Sequence, residues 1–403
     1  MMTPQTYPER THWTAVIALG AGIFTMTTLE ELPIGVLTLM SDGLETSDGV
    51  IGLGVTVPGV LAAIVAIIAP RLTGRIDRRL VLTAALIASA LSALMTALAP
   101  SPGFFLASRI LIGIGLGVFW ALLGASAARL ASPRQVARAL TVAFSGGAGA
   151  IVLGVPLATY VGALVGWRGS FFAAAALATS MAIVLWVVVP PIPATPGASF
   201  ADIGRAWSLS GVRFGVLYTF VVVLFHFNAY TYASPILQKL SGVSVAGVGT
   251  MLLIFGLAGL SGNFLSGPAM DRSLTATMVA LPLGLAIAMA VLTQASGPLG
   301  AGAVMALWGL FGGAVSVVSQ GWVLDASGDL AEPASGLNSG AFNLGIAGGA
   351  LTGGLIQPGI PGMPGVLGAG GPVAIVTVSI IGMIVALFLA VAAARRSRRV
   401  RAS

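Results

Sequence analysis

Residues Thr25–Leu37 read TMTTLEELPIGVL, and two adjacent carboxylates, Glu30 and Glu31, sit in the middle of an apolar run from Trp13 to about Met40. A carboxylate in an apolar setting costs several kcal/mol unless it is protonated, paired or wetted. The question is whether the run is a buried helix of a soluble protein or a pass through a bilayer. Composition answers it. Of the 403 residues, 57% are hydrophobic and only 8% charged, against roughly 25% charged in soluble domains. A soluble fold cannot cover that much apolar surface, so the chain is read as a polytopic membrane protein. The run holding the glutamates is ~25 residues, too long for the core of a cleaved signal, and no small-x-small site ends it.

It is the first of twelve such runs, each near the roughly 20 residues that span a bilayer: 14–40, 49–69, 80–99, 104–127, 139–163, 170–190, 213–237, 247–268, 274–294, 299–323, 335–357 and 372–394. They are too long, and lack the alternation, for barrel strands. Arginine placement orients them. With the N-terminus inside, the inner segments carry Arg10, Arg71, Arg75, Arg78, Arg79, Arg129, Arg134, Arg138, Arg205, Arg213, Arg272 and five arginines from Arg395 to Arg401. Only Arg109, Arg168 and Lys239 of the 19 basic residues fall elsewhere. This asymmetry predicts both termini in the cytoplasm. It also accounts for the net charge of +7 without a nucleic-acid partner. The loop 324–333, with Asp325, Asp329 and Glu332, adds nothing to it. Cysteine is absent, which removes disulfides and thiolate chemistry.

The longest hydrophilic break, 190–212, halves the chain. The expected organisation is a six-helix bundle over 1–190, a cytoplasmic linker over 191–212, and a second bundle with a basic tail over 213–403. Six plus six helices point to the internal duplication of many secondary transporters. Short basic turns, PRLTGRIDRR after the second run and GPAMDRS after the eighth, echo one another.

Four places carry a family likeness. Leu29-Glu30-Glu31-Leu32-Pro33-Ile34-Gly35-Val36-Leu37 is similar to T-E-x-x-P-x-G-L-L, with Glu31 where an apolar residue is usual. The turn from Ala69 is a degenerate G-x-x-x-D-R-x-G-R-R: Pro70, Gly74 and Asp77 depart from it, while Arg75, Arg78 and Arg79 match, and Gly267, Asp271 and Arg272 fit its start in the second half. Arg109 with Gly113 gives R-x-x-x-G. Gly149, Gly154, Val155 and Pro156, followed by Gly166-Trp167-Arg168 and Phe171, resemble the antiporter motif and its sequel. On these residues the chain resembles the major facilitator superfamily, and within it the drug:proton antiporter branch. The nearer likeness is to bacterial exporters of sugars, arabinose, purine ribonucleosides and chloramphenicol-like drugs. The resemblance implies an all-α fold of twelve membrane helices in two bundles. It also implies efflux of a small solute against protons across the bacterial inner membrane, with a role in drug resistance. The proton gradient would be the energy source, with no cofactor, and nothing in the sequence demands more than a monomer.

Glu30 and Glu31 are the acids placed inside the spans. Consecutive helical residues point ~100° apart, so the two cannot face one narrow cavity equally. Glu30 is the expected proton carrier, with Glu31 beside it. The bland alternative is a hydrated pair at the outer interface, since Glu30 lies ~26 Å along a helix from Trp13. Pro33 and Gly35 permit a bend there. Arg109, the one basic residue within a span, either helps switch Glu30 or snorkels to headgroups. Gly149, Gly154 and Pro156 either seal the boundary between the halves or pack generically.

Segment 7 carries FHFNAYTYASP. Asn228 and Tyr232 share one helix face, and His226 and Tyr230 another. Aromatic faces with a few polar groups suit a sugar, nucleoside or aromatic drug, or else form an interfacial belt. Trp120 and Asn343 are candidates for the same cavity; Trp308, Gln320 and Asn338 are further polar groups in spans. Arg75, Arg78, Arg79, Asp271 and Arg272 are expected at inner turns and gates. No phosphate-binding G-x-x-x-x-G-K-[ST], zinc H-E-x-x-H or nucleophile G-x-S-x-G occurs, which weighs against a pump driven by ATP and against a membrane enzyme. A proton-coupled importer or a uniporter would share the fold, and a channel is the distant competitor.

Overall fold

The computed structural model describes residues 9–73, 76–193, 200–356 and 371–402. Among them every regular element is helical: α1 (Trp13–Gly35), α2 (Leu37–Gly43), α3 (Asp48–Leu72), α4 (Arg78–Ala97), α5 (Pro102–Arg129), α6 (Val136–Gly149), α7 (Val155–Val188), α8 (Phe200–Ser208), α9 (Ser210–Tyr230), α10 (Ala233–Ser241), α11 (Val245–Leu292), α12 (Gly297–Asp325), α13 (Ala331–Ile356) and α14 (Pro372–Ala402). In lipid a helix satisfies its own backbone groups, which no open strand can do. Caps mark several starts: Asp77 accepts from Arg79 N–H, Ser101 from Phe104 N–H ahead of Pro102, and Ser244 from Gly247 N–H.

Nine helices among the described residues are long and apolar enough to cross a membrane. Two of these stretches, Arg138–Val188 and Val245–Leu292, are far longer than one crossing and break inside. The first breaks at Gly166 (φ 81°, ψ 161°) and the second at Ser273 (φ −166°, ψ 98°). The breaks divide them into four passes, so eleven passes are apolar. The twelfth expected pass falls on α13, 26 residues long, where Ser335, Asn338, Ser339 and Asn343 dilute the apolar sequence.

The start of α1 meets the end of α5 (His12 N–H to Leu130 C=O, 2.9 Å), and the start of α4 meets the segment after α7 (Arg78 N–H to Ile192 C=O, 2.9 Å). These helix ends, with their arginines, form one end of the bundle, the arginine face. The opposite end is the far face, where Arg168 donates to Ala99 C=O (2.8 Å) and stacks on Trp167.

Helices α1 and α3 to α7 pack on one another, as do α9 and α11 to α14. The groups meet along α3 against α13, and along α7 and the turn before it against α11. The expected linker differs in part. Residues 200–208 form the amphipathic helix α8, seated on α9 and α13, with Ala206 in a small core with Val212, Val323, Ala334 and Ala341. An apolar stripe that the composition of 190–212 obscures holds it there.

Contacts between the halves gather toward the far face. Gly52 and Gly59 of α3 lie against Tyr232 and Ala347, and Gly249 and Gly256 of α11 against Tyr160 and Val152. Toward the arginine face Ser339, one turn before Asn343 on α13, and Ser145 on α6 are exposed.

Only glycine adopts the backbone of Gly166 without strain of about 1–3 kcal/mol. Gly166→Ala is expected to lower unfolding stability by that amount, read by denaturant titration of the detergent-solubilised protein.

Candidate functional site

The geometry of the site begins with Pro33. Proline has no N–H, so the carbonyl four residues back, Leu29 C=O, loses its helical partner. Helix α1 ends two residues later at Gly35, turns at Val36 (φ −113°, ψ 20°), and the chain resumes as α2. Arg109 of α5 supplies the missing donor. Its Nη1 donates to Leu29 C=O (3.1 Å), Nη2 to Glu30 C=O (2.6 Å) and Nε to Gly54 C=O of α3 (2.8 Å). The side chain is fully buried, so it does not snorkel to headgroups. Nor does it grip the Glu30 carboxylate, since among the described residues no ion pair joins Arg109 to either glutamate. A planar guanidinium offers five donors in a fixed fork, which is what three carbonyls on two helices require.

Glu30 and Glu31 are each 4% exposed, which is inconsistent with a hydrated interfacial pair. Oε1 of Glu30 and Oε2 of Glu31 are buried with no hydrogen-bond partner from the protein, as are the hydroxyls of Thr27 and Thr28 one turn earlier. The two carboxyls have different neighbours. Glu30 lies near Arg109 within the first half, and Glu31 near Tyr230 across the boundary between the halves. The Tyr230 hydroxyl is itself buried and unpartnered. Helix α1 touches both α10 and α11, so the acids lie where the halves meet.

Across the boundary stands a nest of rings. Tyr230 stacks on Phe255 (4.8 Å between centroids) and His226 on Tyr230 (5.7 Å), with Phe227 and Trp308 edge-on to both. Trp308 Nε1 donates to His226 Nδ1 (3.3 Å); that nitrogen is therefore an acceptor, and the ring proton sits on Nε2. Phe255 is the member the sequence did not disclose, because an apolar ring in an apolar helix gives no signal.

Two expected ligand contacts have other duties here. The Asn228 amide is fully occupied: its oxygen accepts from Gly353 N–H and Thr352 O–H, and its nitrogen donates to Ile375 C=O and Ser379 Oγ. It ties α9 to α13 and α14. Tyr232 is buried, and its hydroxyl donates to Ala350 C=O (2.9 Å). In this structure both side chains tie helices together, their polar atoms being satisfied by protein partners. Trp120 stacks on Phe144 within the first half, while Asn343 donates to Ser339 C=O along α13. Gln320 and Asn338 satisfy one another, together with Thr219 and Ser335.

At the arginine face Arg78 donates to Thr73 C=O and Oγ1 (2.9 and 2.6 Å), and Arg79 lies over the Trp186 ring (4.3 Å). They pin the α3–α4 turn to itself and to α7. Arg75 lies outside the described residues. Asp271 and Arg272 are exposed beside the break at Ser273. Between α6 and α7, residues Ala150–Gly154 form a π turn with Gly149 before it and Pro156 after. Gly154 sits against Thr28 and Gly149 against Phe24, both on α1, and Val152 against Gly256 of α11. Such turns are rare and cluster at functional sites.

Arg109→Lys leaves at least one buried carbonyl bare, and a hydrogen bond to a charged group is worth about 1.5–3 kcal/mol. Unfolding stability is expected to drop by that amount. In a Pro33→Ala background, where residue 33 regains its N–H, the drop is expected to shrink by ~1 kcal/mol; a double-mutant cycle by denaturant titration reads the difference.

Comparison with known proteins matches this geometry to a family. The sequence profile of the Major Facilitator Superfamily fits residues 19–350. The chain is 32% identical over 362 residues to the transcription regulatory protein OpdE of Pseudomonas aeruginosa, covering 88% of this chain and 90% of that one. It is 32% identical over 348 residues to the purine ribonucleoside efflux pump NepI of Escherichia coli, covering 86% and 87%. Among solved structures, the nucleoside transporter NupG superposes with a TM-score of 0.76 at 13% identity, over 94% of this chain and 99% of that one. A D-xylose–proton symporter gives 0.73 at 17%, over 94% and 96%. At those identities the superpositions speak for the fold alone. The chain belongs to the Major Facilitator Superfamily: it is a multi-pass membrane transporter of small solutes and not an enzyme.

Proposed function

We propose that this transporter exports its solute in exchange for protons, by alternating access between two six-helix halves. One observation carries the reading: two consecutive carboxyls on α1, each with a buried oxygen that no protein group satisfies, at the boundary the halves must rearrange. A carboxyl so placed is tolerable when it holds a proton and costly when it does not. Arg109 forms no ion pair with either carboxyl, its donors being committed to carbonyls, and a single cation can offset one carboxylate but not both. A proton is thus the natural counter-charge, and losing it favours a different arrangement of the halves.

In the proposed cycle Glu30 and Glu31 load from the far side, and the proton leaves toward the arginine face as the solute binds. Coupling requires only that proton and solute favour different states. Arginine asymmetry supports the arginine face as cytoplasmic, in a bacterial inner membrane with both termini inside. The far-face contacts between the halves support reading this arrangement as inward-open. The ring nest beside Glu31 supports a solute with a flat heteroaromatic part, and the name of the NepI relative supports a nucleoside ahead of a sugar or an amphiphilic drug. The protein acts as a monomer without a cofactor, driven by the proton gradient.

The test is solute-induced proton release from the purified, detergent-solubilised protein, across nucleosides, pentoses and chloramphenicol-like drugs. Release by the wild type that falls in Glu30→Gln or Glu31→Gln is the expected result, and the residue that abolishes it is the carrier. Solute binding without release moves the reading to a uniporter. Direction is read separately in vesicles: an inside-acid gradient that drives uptake into the lumen supports exchange, and an outside-acid gradient that drives it indicates symport. Because proton and solute compete in this scheme, solute affinity is expected to weaken as pH falls, measured by calorimetric titration at several pH values.

A further inference from the structure

Tyr232 occupies a slot made of glycines from both halves. Its ring lies against Gly353 of α13, and its Cζ would stand 2.6 Å from a Cβ built at Gly52 of α3. That Cβ would overlap the hydroxyl itself. The hydroxyl would lie 2.7 Å from a Cβ at Gly354, whose nearest atom across the boundary is the Gly49 carbonyl (3.1 Å). Three glycine positions, two on one half and one on the other, thus meet a single ring that its bond to Ala350 C=O holds in place. Side chains at these positions would keep α3 and α13 apart.

The surroundings repeat the same connection in polar form. Gln238 Nε2, one helical stretch beyond Tyr232 on α10, donates to Thr38 Oγ1 of α2 (3.0 Å) and to Ser234 Oγ (2.9 Å). Lys239 lies 3.9 Å from Asp48 at the start of α3, and Ser41 Oγ donates to the same carboxylate (2.8 Å). On the other side of the boundary Tyr160 of α7 and Thr250 of α11 share a hydrogen bond. The Gln238–Thr38, Lys239–Asp48 and Tyr160–Thr250 contacts join one half to the other at the far face. Nearer the arginine-face ends of their helices, Ser145 and Ser339 are exposed.

We propose that Tyr232 in its glycine slot, backed by the Gln238–Thr38 bond, is the far-face gate of this transporter. It is a positioning device and does not touch the solute. Opening the far face means drawing Gly49 and Gly52 away from the ring, so the fit of one side chain against bare backbone sets how far the closed state is favoured. The inference rests on the alternating-access reading. Its test uses neither solute nor proton, so it can fail while proton exchange stands, and the reverse.

The absence of cysteine makes the test direct. Single cysteines are placed at Ser234, buried beside Gln238 (1% exposed), and at exposed Ser339, and their maleimide labelling rates are measured in the purified protein with and without Gly52→Ala. The expected result is labelling at 234 about tenfold faster, the shift that about 1.4 kcal/mol gives, with labelling at 339 slower. Gln238→Ala is expected to move both rates the same way by about threefold. Unchanged labelling at 234 in both variants would overturn the proposal. So would rates that rise together at both positions, which would mean that the slot holds the whole bundle together and does not gate one face.

Discussion

A missing backbone hydrogen organises this molecule. Pro33 cannot donate to Leu29 C=O, and inside a membrane bundle the freed carbonyl has to find another donor. Arg109 supplies it, and with its remaining donors it joins the next carbonyl of α1 to Gly54 of α3. One buried cation thereby fixes three helices and the turn that ends α1. The same geometry determines the condition of the glutamates. With the guanidinium engaged by carbonyl dipoles, Glu30 and Glu31 have no protein cation as an ion-pair partner. They sit in the fold as groups whose charge is conditional.

The rest of the architecture keeps that condition adjustable. Lipid offers helices no hydrophobic drive to associate, so packing depends on close approach and on polar ties. Within each half the ties are many: Asn228 binds three helices, and Asn338, Gln320 and Thr219 bind another cluster. Between the halves they are few and gathered at one end, where glycines bring backbones together. A structure held firmly within its halves and lightly between them can rock about the boundary. The π turn at Ala150–Gly154 sits on that boundary, against α1 and α11 at once.

Much of this was legible from the residue order. Apolar length gave the passes, and the helix ends at Arg78 and Arg129 lie at one end of the bundle. Gly166-Trp167-Arg168 marks a break because only glycine takes that backbone, with the cation beside it reaching Ala99 C=O. Proline with glycine after two acids foretold a bend. Other features were hidden. Asn228 and Tyr232 were read as solute contacts because a polar side chain in a span must find some partner, and sequence does not say whether that partner is protein or ligand. For Arg109 the sequence leaves open a role beside Glu30 or snorkelling to headgroups, and it carries no sign that the guanidinium meets the backbone of α1. The nest around Tyr230 depends on Phe255, which looks like any apolar residue. Helix α8 was read as linker because its few apolar positions are diluted by Asp202, Arg205 and glycine.

The central claim is that the buried glutamates carry protons that the solute displaces. Infrared difference spectroscopy of the protein in lipid tests it most directly, through the carbonyl stretch that only a protonated carboxyl shows. The account predicts that this band is present without solute, disappears on solute addition, and is missing in the Glu30→Gln, Glu31→Gln double variant. A wild-type spectrum without that band, or one in which the band ignores the solute, would contradict it.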